Sequence, residues 1–125
     1  MINNRLRTTF EVEQKLQEMQ NALQLSSKAA VMRLSIAYSL KEEKDPRNIQ
    51  VTSKQPGNDY SRLTIFGDDE ILFKLMIEAH LGKRIPDEEF FPDLTNAHIA
   101  RGLEILISDY KLYRRKEKLF LKNMR

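Results

Sequence analysis

The sequence predicts a mainly α protein, a single compact helical domain of about four main helices with at most short strands. Its 125 residues suit one hydrophobic core, and 41% hydrophobic with 31% charged residues is typical of a chain that folds. Four segments carry apolar residues at helical spacing, and Ser, Thr, Asp or Gly stands at their ends. We therefore expect one domain over residues 1–125.

The first 43 residues predict a ribbon-helix-helix-like module. The stretch RLRTT (5–9) alternates and predicts a short strand or an extended arm, in which a threonine caps a helix over 10–23. Ser26-Ser27 caps a second helix that ends near Leu40 and is apolar on nearly all faces, which favours a subunit contact. The joint contains no glycine, which argues against a left-handed residue there.

Residues 44–66 predict an irregular segment, because Pro, Gly, Asn and Asp interrupt it. Leu63 to Phe66 is the one part expected to form a brief strand.

Residues 67–125 predict two further helices. The first follows the turn Gly67-Asp68-Asp69, ends at Gly82, and is apolar enough to be the central core helix. A loop then buries Phe90 and Phe91. The last helix runs from 96 to 123, with Asp93 or Thr95 as its cap and a basic distal end.

No catalytic or metal site is expected. The chain has no cysteine and only two histidines, and its four glycines are isolated, which excludes a glycine-rich phosphate loop. Acidic clusters at 68–70 and 87–89 precede helices, where capping and the helix dipole favour carboxylates. We expect no cofactor.

Charge is distributed unevenly along the chain. Residues 111–125 hold seven Lys and Arg against Glu117, so the first 110 residues carry a net charge of −3. Such a local patch is typical of a polyanion-binding protein, although charge runs are also common on solvated faces.

Arg33 is the only charged residue between Lys28 and Lys41. It shares a helix face with the small residues Ala29, Ala30 and Ala37, which leave room for its long stem. We favour a pair with a buried carboxylate or with helix-end carbonyls over a phosphate contact.

Four motifs follow one another along the chain: RLRTT (5–9), the helix that contains Arg33 and AYSL (37–40), LTIFG (63–67) and HIARGLEIL (98–106). In this order and spacing the sequence resembles the DndE family of bacterial DNA phosphorothioation. The resemblance implies a small helical homo-oligomer, a tetramer, that binds double-stranded DNA, particularly nicked duplex. It further implies that the protein works beside the other phosphorothioation proteins and does not itself move sulfur.

The sequence hypothesis is a non-enzymatic DNA-binding accessory subunit whose basic residues contact phosphates. Alternatives are a ribbon-helix-helix repressor, a DNA-nicking enzyme of the same pathway, or a scaffold. The candidate DNA contacts are Arg5, Arg7, Lys15 and Lys28 in the N-terminal module, and Lys111, Arg114, Arg115, Lys116 and Lys118 in a second patch that could instead dock a partner protein.

The compartment expected from the sequence is the cytoplasm, with no membrane contact. The first residues lack the apolar core of a signal peptide, and no run approaches the roughly 20 apolar residues that span a bilayer.

Overall fold

The computed structural model describes residues 3–48 and 55–124, so 49–54 of the predicted irregular segment lie outside the described residues. The mainly α class is confirmed, because helices dominate and two short strands form one antiparallel sheet. The elements in chain order are β1 (Arg5–Thr9), α1 (Phe10–Leu23), α2 (Lys28–Ser39), β2 (Pro56–Ser61), α3 (Arg62–Phe66), α4 (Glu70–Leu81), α5 (Asp87–Glu89) and α6 (Thr95–Asn123).

The predicted caps of the first two helices are confirmed. The side-chain oxygen of Thr9 accepts a hydrogen bond from the backbone N–H of Val12 at 3.2 Å, at the start of α1. The hydroxyl of Ser27 accepts from the N–H of Ala30 at 3.1 Å, at the start of α2. Each bond satisfies a backbone donor that the helix itself leaves free.

The joint between α1 and α2 differs from the prediction. Gln24 has φ 55° and ψ 42°, a left-handed conformation, although the joint has no glycine. In that conformation the N–H of Leu25 reaches the carbonyl of Gln20 at 3.0 Å and closes the end of α1. The expectation of no left-handed residue was wrong, because ending the helix requires this geometry here whatever the side chain.

The strand β1 pairs with β2 of the same chain, with Leu6 opposite Tyr60 and Arg7 opposite Asp59. The prediction of an irregular segment was wrong for 56–61, because Pro, Gly, Asn and Asp are poor strand formers and the pairing with β1 imposes the conformation. A ribbon-helix-helix protein builds its ribbon from two chains. The ribbon of this chain is intramolecular.

The brief strand expected at Leu63–Phe66 was also wrong, because these residues belong to α3. The hydroxyl of Ser61 accepts from the N–H of Thr64 at 3.1 Å and starts the helix. A short apolar run cannot distinguish helix from strand by periodicity, and the cap decides the outcome here.

The helices α2 and α6 form the centre of the core and cross in very close contact at Gly102. A Cβ atom built on Gly102 would lie 1.5 Å from the carbonyl oxygen of Ser35, so α6 touches the backbone of α2 there. Val31, Met32 and Ile36 on α2 are fully buried. The apolar faces of α2 are thus largely covered within one chain, without the subunit contact that the sequence favoured.

The helix α4 is not the central core helix that the sequence predicted. It buries Phe73 and Ile77, whereas Ile71, Leu72 and Leu75 are more than half exposed. The Phe73 ring lies 5.4 Å from that of Phe66, which anchors α4 at the edge of the core. The helix ends at Gly82, as predicted, in a left-handed conformation with φ 79°.

The segment before α6 buries Phe90 and Phe91, as predicted, in a kink over Phe90–Leu94 where the backbone of Phe91 is extended, with φ −138° and ψ 132°. Neither Asp93 nor Thr95 caps α6, because the kink leads directly into the helix and the carbonyls of Phe90 and Pro92 accept the N–H of Thr95. The Thr95 hydroxyl instead donates to the carbonyl of Phe90 at 2.8 Å. Within 3–48 and 55–124, no helix is long and apolar enough to cross a membrane.

Candidate nucleic-acid interface

Arg5 and Arg7 project from the outer side of β1. Their neighbours Leu6 and Thr8 face the core, and strand alternation therefore turns both guanidinium groups to solvent. The Arg7 side chain is 69% exposed, and its Nε lies 3.3 Å from Oδ1 of Asp59 on β2. Such an exposed ion pair is weak, so Arg7 can turn to another anion at little cost.

A buried carboxylate, Glu13, holds β1, α1, β2 and α2 together. Its Oε1 accepts from the Thr8 hydroxyl at 2.8 Å and from the Tyr60 hydroxyl at 2.5 Å. Its Oε2 accepts from Lys28 Nζ at 3.0 Å and from Asn58 Nδ2 at 3.4 Å. Lys28, a candidate DNA contact, is thus engaged in an ion pair inside the fold.

Burial raises the pKa of Glu13, but the hydrogen bonds from Tyr60, Lys28 and Thr8 outweigh it and lower the pKa below its usual value. Burial and the bond to Glu13 raise the pKa of Tyr60 well above its usual range. The cluster therefore has one fixed charge state near neutral pH, with the carboxylate ionised and the phenol protonated.

The helix α6 lies beside β1 and α1 and contacts a basic residue of each. Asn96 Nδ2 donates to the carbonyl of Arg7 at 3.2 Å, and Lys15, in the second turn of α1, forms an ion pair with Glu104. Eight residues of helix separate the two α6 positions, which is about 12 Å. Arg7, through its carbonyl, and Lys15, through its ammonium group, therefore contact α6 at positions about 12 Å apart along its axis.

The same side of α6 continues into the distal basic patch. Glu104, Lys111, Arg115 and Lys118 follow one another at steps of seven, four and three residues, the spacing of a single helix face. All three basic residues are exposed. Arg114 lies next to this face, and its Nη1 is 3.7 Å from Glu117.

We call the aligned set the basic track; it comprises Arg5, Arg7, Lys15, Lys111, Arg114, Arg115 and Lys118. From the level of Asn96 to Lys118 the track follows 22 residues of helix, about 33 Å. The structure does not bring all candidates together. Lys28 lies in the Glu13 cluster, and Lys116 lies on the other side of α6 beside Tyr110 and Tyr113.

Arg33 binds a carbonyl at the end of a helix. Its Nη1 donates to the carbonyl of Ile65, in the last turn of α3, at 2.7 Å. The last carbonyls of a helix have no partner within the helix, and a guanidinium reaching from α2 provides one. The bond connects α2 to α3 and turns this guanidinium into the protein.

His98 is a fully buried side chain whose partner the sequence does not indicate. Its Nδ1 lies 2.8 Å from the Ser39 hydroxyl, which also accepts from Nε of Arg101 at 2.9 Å. The Ser39 hydroxyl thus links the imidazole of His98 to the guanidinium of Arg101. Burial, reinforced by the Arg101 charge, lowers the pKa of His98 to about 4.

One residue from each of the acidic clusters at 68–70 and 87–89 binds the same arginine. Arg62 Nε donates to Glu70 at 2.5 Å, and its two Nη atoms donate to the oxygens of Asp87 at 2.8 and 2.6 Å. The hydrogen bonds from Arg62 lower the pKa of Asp87. Within 3–48 and 55–124, no group of three His, Asp or Glu side chains is arranged to hold a metal ion.

Comparison with known proteins assigns the chain to a family. The family model described as "DNA sulphur modification protein DndE" matches residues 5–114. The chain belongs to the DndE family. This confirms the resemblance that the motifs indicated, and it makes the chain a member of a family of DNA sulphur modification proteins.

Two solved DndE structures share the fold. The crystal structure of DndE from Escherichia coli B7A, described as involved in DNA phosphorothioation modification, superposes with a TM-score of 0.64 at 16% identity, over 85% of this chain and 98% of that chain. The crystal structure of the DndE G21/24K mutant superposes with a TM-score of 0.63 at 16% identity, over 85% of this chain and 99% of that chain. No curated protein sequence matches the chain. The DndE match ends before Arg115, Lys116 and Lys118.

Proposed function

We propose that this chain is a DNA-binding accessory subunit of the DNA phosphorothioation system, and that the basic track contacts the phosphates of double-stranded DNA. Family membership supports the pathway. The observation that carries the DNA contact is the alignment of Arg7, Lys15, Lys111, Arg115 and Lys118 along one side of α6.

The dimensions of the track suit a duplex. Its length of about 33 Å is close to one turn of B-DNA, which rises about 34 Å. Lysines and arginines that contact phosphates release condensed counterions, so binding should weaken steeply with salt and depend little on base sequence. In contrast, a repressor would need side chains that reach base edges.

We assign sulfur chemistry to other proteins of the system. The chain has no cysteine, so it has no thiol on which sulfur could travel. In this proposal the chain holds DNA for those proteins, and nicked duplex is the preferred form. A nick makes the duplex easier to bend and so lowers the cost of fitting it to a protein surface.

We further propose a homo-oligomer, with a tetramer as the expected size. Leu63, Ile71, Leu72 and Leu75 are each more than half exposed on α3 and α4, and we call them the α4 patch. Ile71, Leu72 and Leu75 lie on one side of α4 by their helical spacing, and an exposed apolar patch of this kind marks an interaction surface. Glu70 and Lys74 lie beside it, so a second copy related by a two-fold axis offers opposite charges as well as the same apolar patch.

The DNA proposal is tested by charge reversal. The variant replaces Arg5, Lys111, Arg115 and Lys118, which are exposed and form no ion pair among the residues that the structure describes, with Glu. Fluorescence anisotropy with labelled intact and nicked duplexes is measured from about 50 to 200 mM salt. We expect at least about a 100-fold loss of affinity at low salt, and a fall of 3 to 4 in the slope of log K against log salt, roughly 0.9 per lost contact.

A control with the same charge change keeps the track intact. It replaces Lys41, Lys44, Lys83 and Arg84, which are exposed on other parts of the chain, with Glu. Circular dichroism establishes that both variants are folded. Equal losses in the two variants would mean that only net charge matters, and an unchanged affinity in the first would remove the track as the DNA surface.

A further inference from the structure

The distal part of α6 carries an apolar stripe on the side away from the basic track. Leu112, Tyr113, Leu119 and Phe120 are 46, 63, 60 and 65% exposed. Their seven-residue repeat places them on one face, and at about 100° per residue the centre of that face is about 130° around the helix from the centre of Lys111, Arg115 and Lys118. The helix therefore presents two different surfaces.

The stripe leads into a groove at the root of the distal helix. The groove has a volume of about 520 Å³ and is lined by Leu23 of α1, Tyr38 of α2, and Leu106, Tyr110 and Tyr113 of α6. Leu106 continues the stripe toward the core at the same heptad spacing. An apolar helix laid along the stripe would therefore end over a concave apolar surface rather than over water.

Two opposite charges lie in the middle of the stripe. Asp109 and Lys116 both line the groove region, both are exposed, and they are seven residues apart on the same line of the helix. Neither forms an ion pair within 3–48 and 55–124. A partner helix that covers the stripe must offer a cation opposite Asp109 and an anion opposite Lys116, in that order and at that spacing.

We propose that the stripe is covered by the same stripe of a second copy, running antiparallel. An antiparallel copy places its Lys116 opposite Asp109 and its Asp109 opposite Lys116, so that two identical ion pairs form by symmetry. The same register places Leu112 opposite Tyr113 of the second copy. Leu119 of the second copy then lies over Leu106, at the groove.

Other occupants fit the charges less well. A strongly acidic helix or an anionic membrane surface would pair with Lys116 but would bring like charge to Asp109, and a duplex would do the same while leaving the apolar side chains in water. The track residues on α6 lie about 100 to 160° around the helix from the centre of the stripe, so none of them faces the second copy directly.

The expected interface is small. Two copies contribute eight side chains, and at about 100 Å² each the contact removes about 800 Å² from water. This is below the size of typical stable interfaces. The pairing should be weak by itself, with a micromolar dissociation constant, so a cross-linking assay at about 100 μM protein suits it.

The experiment uses single cysteines in the full chain, which has none of its own. In the proposed register the two copies of residue 113 are offset by one residue along the axis, about 1.5 Å, whereas the two copies of residue 120 are about 22 Å apart. We expect Tyr113→Cys to form a disulfide-linked dimer under mild oxidation, at least tenfold faster than Phe120→Cys or Lys118→Cys.

A charge exchange provides the second measurement. In the Tyr113→Cys background, Lys116→Asp should slow cross-linking several-fold, because it sets like charges against each other. The double change Asp109→Lys with Lys116→Asp should restore it. Equal rates at 113 and 120 would indicate parallel pairing, and equal rates at 113 and 118 would indicate random collision. Either result, or failure of the double change to rescue, overturns the proposal irrespective of DNA binding.

Discussion

His98 and Arg33 show how single polar side chains are accommodated between the helices of this small fold. Arg33 binds the free carbonyl of Ile65 at the end of α3, and His98 Nδ1 forms a hydrogen bond with the hydroxyl of Ser39 on α2. Both bonds cross from one element to another. The Arg33 contact is of the helix-end type that the sequence favoured, and its carbonyl came from a helix that the sequence did not predict.

The low pKa of His98 predicts a loss of stability in mild acid. Its pKa falls from the ordinary 6.5 to about 4 because burial disfavours the imidazolium. Between these values the unfolded chain binds a proton that the folded chain does not, so stability is full above pH 6.5 and declines as the pH falls toward 4. At about 1.4 kcal/mol per pH unit, we expect a loss of about 2 kcal/mol between pH 7.5 and pH 5.

Urea unfolding at pH 7.5, 6 and 5 measures this effect. His98→Asn cannot titrate, so it should be less stable at pH 7.5 but should lose little further stability at pH 5. Glu13 does not interfere, because its lowered pKa contributes stability that is lost only below about pH 4.5. A parallel decline in the variant would assign the acid sensitivity to another group.

The contact between α2 and α6 makes Gly102 the most constrained position at the scale of the elements. A methyl group there would lie 1.5 Å from the Ser35 carbonyl oxygen, which belongs to backbone and cannot move without separating the helices. We expect Gly102→Ala to cost at least about 3 kcal/mol or to prevent folding.

Gly82→Ala is the matched control for that change. Nothing lies within 4 Å of a Cβ atom at Gly82, although its φ of 79° disfavours alanine, so the cost should be about 1 kcal/mol. Thermal unfolding by circular dichroism compares the two. Similar melting temperatures would show that α2 and α6 can separate without penalty.

The elements that the sequence predicted are those with local signals. The long helices have periodic apolar residues, and the caps Thr9 and Ser27 are encoded beside the helices that they start. The strand β2 and the helix α3 were missed because β2 depends on its pairing with β1, and α3 is too short to show a period. The exposed face of α4 could not be predicted, because apolar content alone does not say whether a face is covered.

The same distinction applies to the candidate interface. Arg5, Arg7 and the distal basic residues were found from charge alone, since charge is visible in sequence. The alignment of Lys15 with them depends on the contact with Glu104, 89 residues away along the chain. Likewise, the engagement of Lys28 by Glu13 depends on Tyr60 and Asn58, which approach only when β2 pairs with β1.

At the scale of the whole molecule, the fold leaves two apolar surfaces on different helices. The α4 patch and the stripe of α6 are each suited to pair with an identical copy about a two-fold axis. Two distinct two-fold contacts on one chain close a tetramer when their axes intersect at right angles. The proposed tetramer therefore requires both surfaces, and the basic tracks of four copies are brought into one assembly.

Light scattering on surface variants separates the two contacts. We expect Leu75→Asp in the α4 patch to reduce a tetramer to a dimer held by α6, and Lys116→Asp to reduce it to a dimer held by α4. The two changes together should give a monomer. Each side chain is exposed in the single chain, so circular dichroism should remain unchanged. Phe10→Asp, an exposed apolar position on α1, should keep the wild-type mass. A Leu75→Asp protein of unchanged mass would show that the α4 patch does not join subunits.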